Sequence, residues 1–541
     1  MSEVKRVFKV NGKPFFPLGA QSCNSAGYDD RASETAFKAV KQLHGNTLEI
    51  PVYWNQIEPK EGVFDFTPVD ALLASAHRYE LKLILLWFAT WKNGNMDYAP
   101  AWVKTNPKKY KRVVSSTGKQ IWVLSSHCQA NLETDKRAFT ALCKHIKVKD
   151  NDETVIGFQL QNEPGIMGSD RDYSPEAQAI YDSPVPAKLV AAMKKYGKGP
   201  VYNMWRESGS KNSGTWSELF GWEGGEYMTA WSIATYIDSI AEGGKAVLPL
   251  PMYINVWLMG NGWWPLPGES YPSGGAVTKV LDIYKWFTPH VDMISPDAHI
   301  GETKQYEAVC AAYTRDDNPY YNPETGGAGN SHCWNMFRAI ADFNCLGDFF
   351  FGVERIMTPE GTVRPEDRNV VDSVRCTAAV IPLLLKYQGT GKVHAVIQED
   401  LASSMLMDFE GYTGLIEFGP RKAGYSGKDW KHPSAVGGPE MVNPNRGRGL
   451  VIQAGRDEFY LTGANYRLFL RPKPTLANMQ ARLAINDVAP KLPGWNIVSI
   501  DEGHFDQKGG FIVDTCRNGD EIDPAAWVEP DCGVVRVITC D

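Results

Sequence analysis

The amino-acid sequence predicts an α/β fold: a (β/α)8 TIM barrel over residues 1–389, followed by a β-rich domain over residues 390–541 that we expect to be an antiparallel sandwich. Up to about residue 390, short apolar runs alternate with amphipathic helical stretches. Eight such pairs follow one another without interruption, which favours a closed parallel barrel. Beyond that point, short alternating runs separated by Gly, Pro, Asn and Asp are typical of antiparallel sheets.

The predicted barrel strands are mostly apolar, as expected of strands that are buried on both faces. In chain order they are Phe15–Gln21, Asn46–Trp54, Leu81–Phe88, Val155–Gln161, Pro251–Leu258, Asp292–Pro296, Pro319–Asn322 and Asp348–Val353. The predicted helices are Ser33–His44, Val69–Tyr79, Thr134–Lys147, Tyr227–Ala241, Lys279–Phe287, Thr303–Thr314, Cys333–Phe343 and Val371–Tyr387. Ser33 is the predicted N-cap of the first helix, and Pro382 predicts a kink in the last. The alternative, an open doubly wound sheet, would carry a Gly-rich phosphate loop after strand 1, and this sequence has none there.

The loops after strands 3, 4 and 5 are unusually long, and they belong to the end of the barrel where active sites are found. The C-terminal domain shows no catalytic constellation, so we expect it to support the barrel structurally. Its predicted strands include Met405–Phe409, Gly449–Ala454, Glu458–Thr462, Arg467–Leu470 and Val534–Ile538.

Composition excludes several classes of protein. The formal net charge of −7 and pI of about 5.9 argue against a nucleic-acid partner. No apolar run approaches the roughly 20 residues that span a bilayer, so we expect no membrane contact. The ten His form neither HxH nor HExxH, and the ten Cys form no CxxC, so we expect neither a metal nor another cofactor. The sequence is compatible with a homo-oligomer but does not predict one.

The sequence begins MSEVKRVFKV, which lacks the apolar segment of a signal peptide. We therefore expect a cytoplasmic protein, the alternative being a secreted one whose signal has been removed. Cys516, Cys532 and Cys540 cluster near the C-terminus, where reduced thiols are the expectation without an export signal and a disulfide among them is the alternative.

Two strands end in a carboxylate. Strand 4 runs into Gln159-Leu-Gln-Asn-Glu-Pro-Gly165, which places Asn162 and Glu163 at its carboxyl end. The segment Asn318-Pro-Tyr-Tyr-Asn-Pro-Glu-Thr-Gly-Gly327 does the same for strand 7 with Glu324. Polar residues at these ends point into the mouth of a barrel, so we expect the two carboxyl groups to face each other across a pocket. Glycoside hydrolysis needs such a pair, whereas two unrelated surface glutamates are the structural alternative.

The barrel region, roughly residues 8–390, resembles glycoside hydrolase family 35, the β-galactosidase family of the large retaining TIM-barrel clan. Four segments carry the resemblance: Val10-Asn-Gly-Lys-Pro-Phe15, Tyr53-Trp-Asn-Gln-Ile-Glu-Pro59, Gly62-Val-Phe-Asp-Phe66 and Pro100-Ala-Trp102. The resemblance implies an exo-acting hydrolase of terminal β-galactose on oligo- or polysaccharides that works by double displacement. It implies that Glu163 is the acid/base, Glu324 the nucleophile and Asn162 a contact of the sugar 2-hydroxyl. A retaining pair should have its carboxyl groups about 5–5.5 Å apart.

The sequence also departs from that family. It has Gln161-Asn-Glu-Pro164 where the family usually has Glu-Asn-Glu-Tyr. After strand 3 it has Ala89-Thr-Trp-Lys-Asn-Gly94, without the glutamate that contacts the sugar. The catalytic pair is therefore retained better than the residues that contact galactose, which indicates a divergent branch of the family.

Further candidates for substrate contact lie near predicted strand ends, where aromatic rings could stack on sugar rings. They are Trp54, Trp91, Asn93, Trp257, His299 and Trp334. Trp263 and Trp264, in a Gly-rich loop, are interpreted as a lid or outer sugar subsite, with a hydrophobic plug as the structural alternative.

Three other functions are compatible with parts of this pattern. Another glycosidase of the clan, such as an endo-glucanase or mannanase, would need an open cleft, which the long loops disfavour. A carbohydrate-binding protein without activity would not need both Glu163 and Glu324. A metal-dependent barrel hydrolase would need a histidine motif that the sequence lacks.

Overall fold

The computed structural model describes residues 6–260, 264–326, 332–399, 402–419, 446–473, 497–517 and 525–540. The N-terminal part is a closed barrel of eight parallel strands surrounded by helices, and the C-terminal part consists of antiparallel sheets. The predicted TIM barrel with a β-sandwich is therefore confirmed.

Two hairpins lie outside the barrel wall, β1 (Phe8–Val10) with β2 (Lys13–Phe15) and β6 (Arg112–Val114) with β7 (Gln120–Leu124). The eight barrel strands are β3 (Gly19–Gln21), β4 (Thr47–Tyr53), β5 (Lys82–Lys92), β8 (Val155–Asn162), β9 (Met252–Val256), β10 (Met293–Ala298), β11 (Asn322–Thr325) and β12 (Asp348–Phe351). They pair in the order in which they occur in the chain, and β12 closes the barrel against β3.

Three predicted strand boundaries were wrong in ways that matter for the site. The first strand begins at Gly19, because residues 13–15 pair with the first hairpin strand instead. The third continues to Lys92, beyond the predicted end at Phe88, and so brings Asn93 to the barrel mouth. The seventh lies three residues later than predicted, so that Glu324 is part of β11 and not two residues beyond its end.

Helices follow the strands around the outside. They are α1 (Asp30–Gln42), α2 (Trp54–Ile57), α3 (Thr67–Tyr79), α4 (Ala101–Lys104), α5 (Gln129–Lys149), α6 (Pro175–Tyr181), α7 (Ala187–Tyr196), α8 (Pro200–Glu207), α9 (Trp216–Phe220), α10 (Gly224–Lys245), α11 (Leu281–Phe287), α12 (Thr303–Tyr313), α13 (His332–Asp342), α14 (Arg368–Ala379) and α15 (Ile381–Tyr387). The N-cap of α1 is Asp29, whose carboxylate accepts from the N–H groups of Arg31 and Ala32, so the predicted cap Ser33 was wrong. The predicted kink is a break between α14 and α15, because Pro382 cannot donate a helical hydrogen bond.

The insertions after β8 and β9 are hydrogen-bonded to each other over the barrel mouth. Ile166 and Ser273 exchange two backbone hydrogen bonds of 3.0 and 2.9 Å, and the Gly168 N–H donates to the Gly268 carbonyl at 2.7 Å. The loop after β5 joins them, since Met167 donates to the Gly94 carbonyl at 3.2 Å. The three long loops therefore form one continuous rim on this side of the mouth.

The C-terminal domain contains two antiparallel sheets. Its strands are β13 (Val393–Ile397), β14 (Ser404–Asp408), β15 (Tyr412–Phe418), β16 (Arg448–Gly455), β17 (Glu458–Ala464), β18 (Tyr466–Pro472), β19 (Ile497–Phe505), β20 (Phe511–Cys516), β21 (Ala526–Val528) and β22 (Val534–Thr539). One sheet has the order β13-β16-β17-β22-β19-β20 and the other β14-β15-β18-β21. Alternate side chains of both sheets, among them Ile416, Phe459 and Val537, form an apolar core of their own.

The sandwich packs directly on the last helices of the barrel. The Arg448 guanidinium on β16, almost fully buried, donates to the Ser373 hydroxyl of α14 at 2.8 Å. The Thr462 hydroxyl on β17 donates to the Cys376 carbonyl at 3.0 Å. Apolar residues of β13 and β16 also belong to the same buried cluster as the barrel helices. The boundary expected at residue 389 is thus a change of architecture, across which the packing continues.

None of the helices among the described residues is long and apolar enough to cross a membrane.

A carboxylic acid lies at the centre of the barrel beneath the mouth. The Glu49 carboxyl accepts hydrogen bonds from the Tyr253 hydroxyl at 2.9 Å, the Tyr321 hydroxyl at 2.5 Å and the Gln21 amide at 3.2 Å. The same amide nitrogen donates to the carbonyl of Pro323, the residue before Glu324, at 3.1 Å. Complete burial raises the pKa of Glu49 to about 8, against the opposing effect of these hydrogen bonds.

The raised pKa of Glu49 predicts a pH dependence of stability. The folded protein binds this proton more tightly than the unfolded chain, so the contribution is full below the unfolded pKa of about 4.3 and is lost as pH rises to about 8. Glu49→Gln cannot ionise, so between pH 5.5 and 8.5 its Tm should fall less than that of the wild type. The exposed Glu360→Gln is the control, and parallel Tm curves for wild type and Glu49→Gln would contradict the expectation.

Candidate active site

Glu163 follows the last residue of β8 in a backbone conformation that is rare for a side chain of its kind. Its φ is 45° and that of Gln161 is 64°, both in the left-handed region. The Glu163 N–H donates to the Asn255 side-chain oxygen at 2.8 Å, and its carbonyl accepts from the Gly94 N–H at 3.2 Å. Contacts from the strands on both sides therefore hold a strained turn, a feature that often marks functional sites.

Glu324 reaches the same mouth from β11. Its Cα pairs with that of Asp297 on β10 in the parallel ladder, so the two carboxyl groups project from neighbouring strands. His299 lies beside them, with its Nε2 atom 3.1 Å from Oε1 of Glu324. Burial alone would lower the pKa of His299, but the hydrogen bond to Glu324 and the charges of Glu324 and Glu163 outweigh it and raise the pKa.

One cavity of about 720 Å³ collects these side chains at the carboxyl end of the barrel. Its polar part is lined by Asn93, Glu163, Asp297, His299 and Glu324, with Trp257 beside them. Both glutamates are less than a tenth exposed. The carboxylates at the ends of strands 4 and 7 thus line one pocket.

The surroundings of Glu163 favour its protonated form. Burial first, and then the nearby charge of Glu324, raise the pKa of Glu163 to about 7. The positive charge of Lys92 acts in the opposite direction. At neutral pH Glu163 is therefore protonated in a large fraction of molecules, as a general acid must be.

Asp297, Lys92 and Asn255 are site residues that the sequence reasoning missed. Asp297 is almost fully buried and accepts from the Asn255 side-chain amide at 2.7 Å. Burial, then the charges of Glu324 and Glu163, raise the pKa of Asp297 well above its usual range. Asp297 could have been found, since Ser295-Pro-Asp-Ala-His299 ends a strand by the same rule that selected Glu163.

Lys92 is the last residue of β5 and only slightly exposed. Burial lowers the pKa of its ammonium group, while the charges of Glu163, Glu324 and Asp297 oppose that effect. It donates to the Asn93 side-chain oxygen, and the Asn93 amide in turn donates to Oε2 of Glu163 at 2.5 Å. The side-chain amide of Asn93 thus connects the Lys92 ammonium group to the Glu163 carboxyl group.

Asn162, the residue before the acid, is fully buried at the end of β8. Among the described residues, neither polar atom of its side chain has a hydrogen-bond partner. Buried amides are usually paired, so the unpaired side chain is unusual, although Asn162 is not among the residues that line the cavity.

The tryptophans divide into two groups. Trp257 lines the cavity. Trp54 donates to the Glu58 carboxylate at 3.0 Å, Trp91 packs edge-on against Tyr236 of α10, and Trp334 lies under the Arg446 guanidinium at 4.3 Å. These three are buried in the layer between strands, helices and sandwich and do not line the cavity, so we no longer propose them as substrate contacts. Trp264 is highly exposed, and Trp263 lies outside the described residues.

Within the described residues, no group of three or more His, Cys, Asp or Glu side chains is arranged to hold a metal ion.

Two family models match parts of the chain. Residues 24–207 match glycoside hydrolase family 42, described as "Beta-galactosidase", a segment that includes Glu163 but ends before Glu324. Residues 375–529, from α14 into the sandwich, match a "Domain of unknown function (DUF5597)". A β-galactosidase of Xanthomonas manihotis is 27% identical over 187 residues, which are 32% of this chain and 28% of that protein. The chain therefore matches less than a third of the length of this relative.

Among solved structures, the catalytic domain of a β-amylase from Paenibacillus polymyxa superposes with a TM-score of 0.50 and 12% identity, over 67% of this chain and 98% of that one. This likeness concerns the barrel fold alone. A β-galactosidase from Bacillus circulans sp. alkalophilus has a TM-score of 0.48 and 15% identity, over 70% of this chain and 58% of that one.

The family match and the relative support a glycoside hydrolase. The matched model is that of family 42 and not of family 35, which the sequence resembles, although both belong to the same clan.

The carboxyl cluster predicts opposite effects of two substitutions at Asp297. The side chain of Asp297 lowers the pKa of Glu163, and because its own pKa is raised we expect it to do so as a protonated hydrogen-bond donor. Asp297→Asn retains a donor for Glu163 and an acceptor for Asn255, so the Glu163 titration should stay close to that of the wild type. Asp297→Ala loses both and should raise the pKa of Glu163. Infrared difference titration measures both, with Glu163→Gln identifying the band. A marked fall in pKa in Asp297→Asn would instead show that Asp297 is ionised.

Proposed function

We propose that this protein is a retaining exo-β-glycosidase that removes terminal β-galactose from its substrate by double displacement. The observation that carries the proposal is the pair Glu163 and Glu324 in one pocket, with the pKa of Glu163 raised by burial and by the charge of its partner. A carboxyl group that keeps its proton near neutral pH can act as the acid, and the second carboxyl group of the pair can then act as the nucleophile.

In the first step, the Glu324 carboxylate attacks the anomeric carbon and the bond to the leaving oxygen breaks. Glu163 gives its proton to that oxygen, so the leaving group departs as a neutral alcohol. The His299 contact occupies Oε1 of Glu324, which orients the carboxylate and leaves Oε2 for the attack. Asn162 remains the proposed contact of the sugar 2-hydroxyl, and its buried amide, which lacks a partner among the described residues, supports that role.

In the second step, the ester to Glu324 has removed the negative charge beside Glu163. The pKa of Glu163 therefore falls, and it accepts a proton from the water that attacks the anomeric carbon. The bond to Glu324 breaks and the carboxylate is restored. The charge of Glu324 thus keeps Glu163 protonated before the reaction, and the loss of that charge in the ester lets Glu163 act as a base afterwards.

Exo-action is supported by the rim of the barrel. The insertions after β5, β8 and β9 are joined by backbone hydrogen bonds and close one side of the mouth. An endo-glycosidase would need an open cleft across this side for both ends of a polymer.

Hydrolysis of a panel of aryl β-glycosides tests the activity and the sugar. We expect cleavage of the galactoside, with Glu324→Ala inactive and the exposed rim variant Glu269→Gln unchanged. If the wild type cleaves a glycoside of another sugar and Glu324→Ala does not, the mechanism is retained but the proposed galactose specificity is wrong. Cleavage by wild type and Glu324→Ala alike would contradict the assigned nucleophile.

Rescue by azide distinguishes the two glutamates. For Glu163→Ala, we expect kcat on glycosides with poor leaving groups to fall by about 10²–10⁴-fold. With an activated aryl glycoside, azide should then restore turnover and give the β-glycosyl azide, whereas Glu324→Ala should give the α-glycosyl azide. An inverting enzyme would not give this pair of products.

The pKa of Glu163 predicts the pH profile. Because Glu163 must be protonated, kcat/KM should fall as pH rises through about 7. Lys92→Met removes the positive charge that lowers the pKa of Glu163, so this basic limb should move to higher pH. A limb that moves to lower pH in Lys92→Met, or that is unchanged, would contradict the electrostatic role of Lys92.

A further inference from the structure

The cavity that contains the carboxyl groups has a second, chemically different half. Besides the polar side chains around Glu163 and Glu324, its lining includes the aliphatic side chains Leu258, Met259, Val277, Ile300 and Val309. Leu258 and Met259 follow β9, and Val309 belongs to α12, which follows β10. The apolar wall is therefore built by the elements between the strand of the acid and the strand of the nucleophile.

Helix α12 presents one face to this half. Gln305, Ala308, Val309 and Ala312 line the cavity and are spaced as neighbours on one side of a helix. Ala308 and Ala312 are exposed, so among the described residues nothing covers this face. Their small side chains leave the groove between the helix and the loop after β9 open.

The two halves suit different parts of a substrate. A sugar ring carries several hydroxyl groups, and burying them without hydrogen bonds is unfavourable. Asn93, Asp297 and His299 supply polar partners in the half that contains the glutamates. In the other half Gln305, Thr278 and Tyr313 are the polar side chains among the described lining residues, and the Tyr313 hydroxyl already donates to the Ala276 carbonyl at 3.1 Å, so a second sugar would find few partners there.

We propose that the apolar half binds the leaving group, and that this group is an alkyl or aryl alcohol and not a second sugar. The inference rests on the proposed function, because it takes Glu163 as the acid that protonates the leaving oxygen. A volume of about 720 Å³ lies within the roughly 300–1,000 Å³ of pockets that bury drug-sized ligands, which are larger than one sugar ring. Burial of the apolar group in this groove removes both it and the exposed helix face from water.

The test compares leaving groups that differ in apolar surface but hardly in acidity. The substrates are methyl and hexyl β-glycosides of the sugar that the aryl panel selects, and the corresponding disaccharide with glucose as its leaving group. We expect kcat/KM of the wild type to be about tenfold or more higher for the hexyl glycoside than for either of the others, since each buried methylene adds binding free energy.

Substitutions on α12 test whether the groove between α12 and the loop after β9 causes the preference for the hexyl glycoside. Ala308→Asp and Ala312→Asp put a charge against the apolar group, and the ratio of hexyl to methyl kcat/KM should fall to near one. Ala311→Asp is the matched control, because Ala311 is exposed on the same helix but does not line the cavity. It should leave the ratio and the activity unchanged. Tm values of the three variants check that the helix is intact.

The outcomes separate this inference from the function on which it rests. If no glycoside is cleaved by the wild type, the proposed function fails and the inference with it. If the methyl glycoside or the disaccharide is cleaved as well as the hexyl glycoside, the inference alone is overturned. A loss of the hexyl preference in Ala311→Asp as large as in the groove variants would also overturn it.

Discussion

Repulsion among carboxyl groups that share one buried pocket is the constraint on which the site depends. Burial and the charges of neighbouring groups both favour the protonated forms of Glu163 and Asp297. The positive charge of Lys92 opposes this effect at Glu163, and Glu324 raises the pKa of His299. A proton is thus retained on Glu163, where an acid needs it.

The barrel holds this arrangement through backbone contacts as much as through side chains. Asn255 connects the backbone of Glu163 to the carboxyl of Asp297, and Asp297 pairs in register with Glu324. Below them, Gln21 joins the carbonyl before Glu324 to the buried acid Glu49. Each contact comes from a different strand, so the closed barrel fixes the distance between the two glutamates. An open sheet would leave its two edges free to move apart.

The alternation of strands and helices was sufficient to predict the barrel and the pocket shared by Glu163 and Glu324, and the short alternating runs after residue 390 predicted the sandwich. The sequence pattern was insufficient to identify which tryptophans line the pocket. A position near a predicted strand end does not tell whether Trp91 points into the mouth or outwards against Tyr236 of α10. A shift of a few residues at a strand end decides that question. Lys92 was missed for the same reason, since the predicted strand ended at Phe88 and left Lys92 in a loop. Asn255 looked like a single polar residue in an apolar run, and only the register of β9 with β10 shows its role.

The division of the cavity into polar and apolar halves also follows from the topology. The polar half is formed where strands end, because inward-pointing side chains meet there and the backbone supplies further donors. The apolar half is formed by α12 and the segment after β9, which belong to the outer layer and carry aliphatic side chains for packing. Helix α12 buries Thr303, Tyr306, Cys310 and Tyr313 on its other side. Within the described part of the chain nothing covers the face with Ala308 and Ala312, which lines the cavity beside the carboxyl groups, and in our proposal the leaving group covers it.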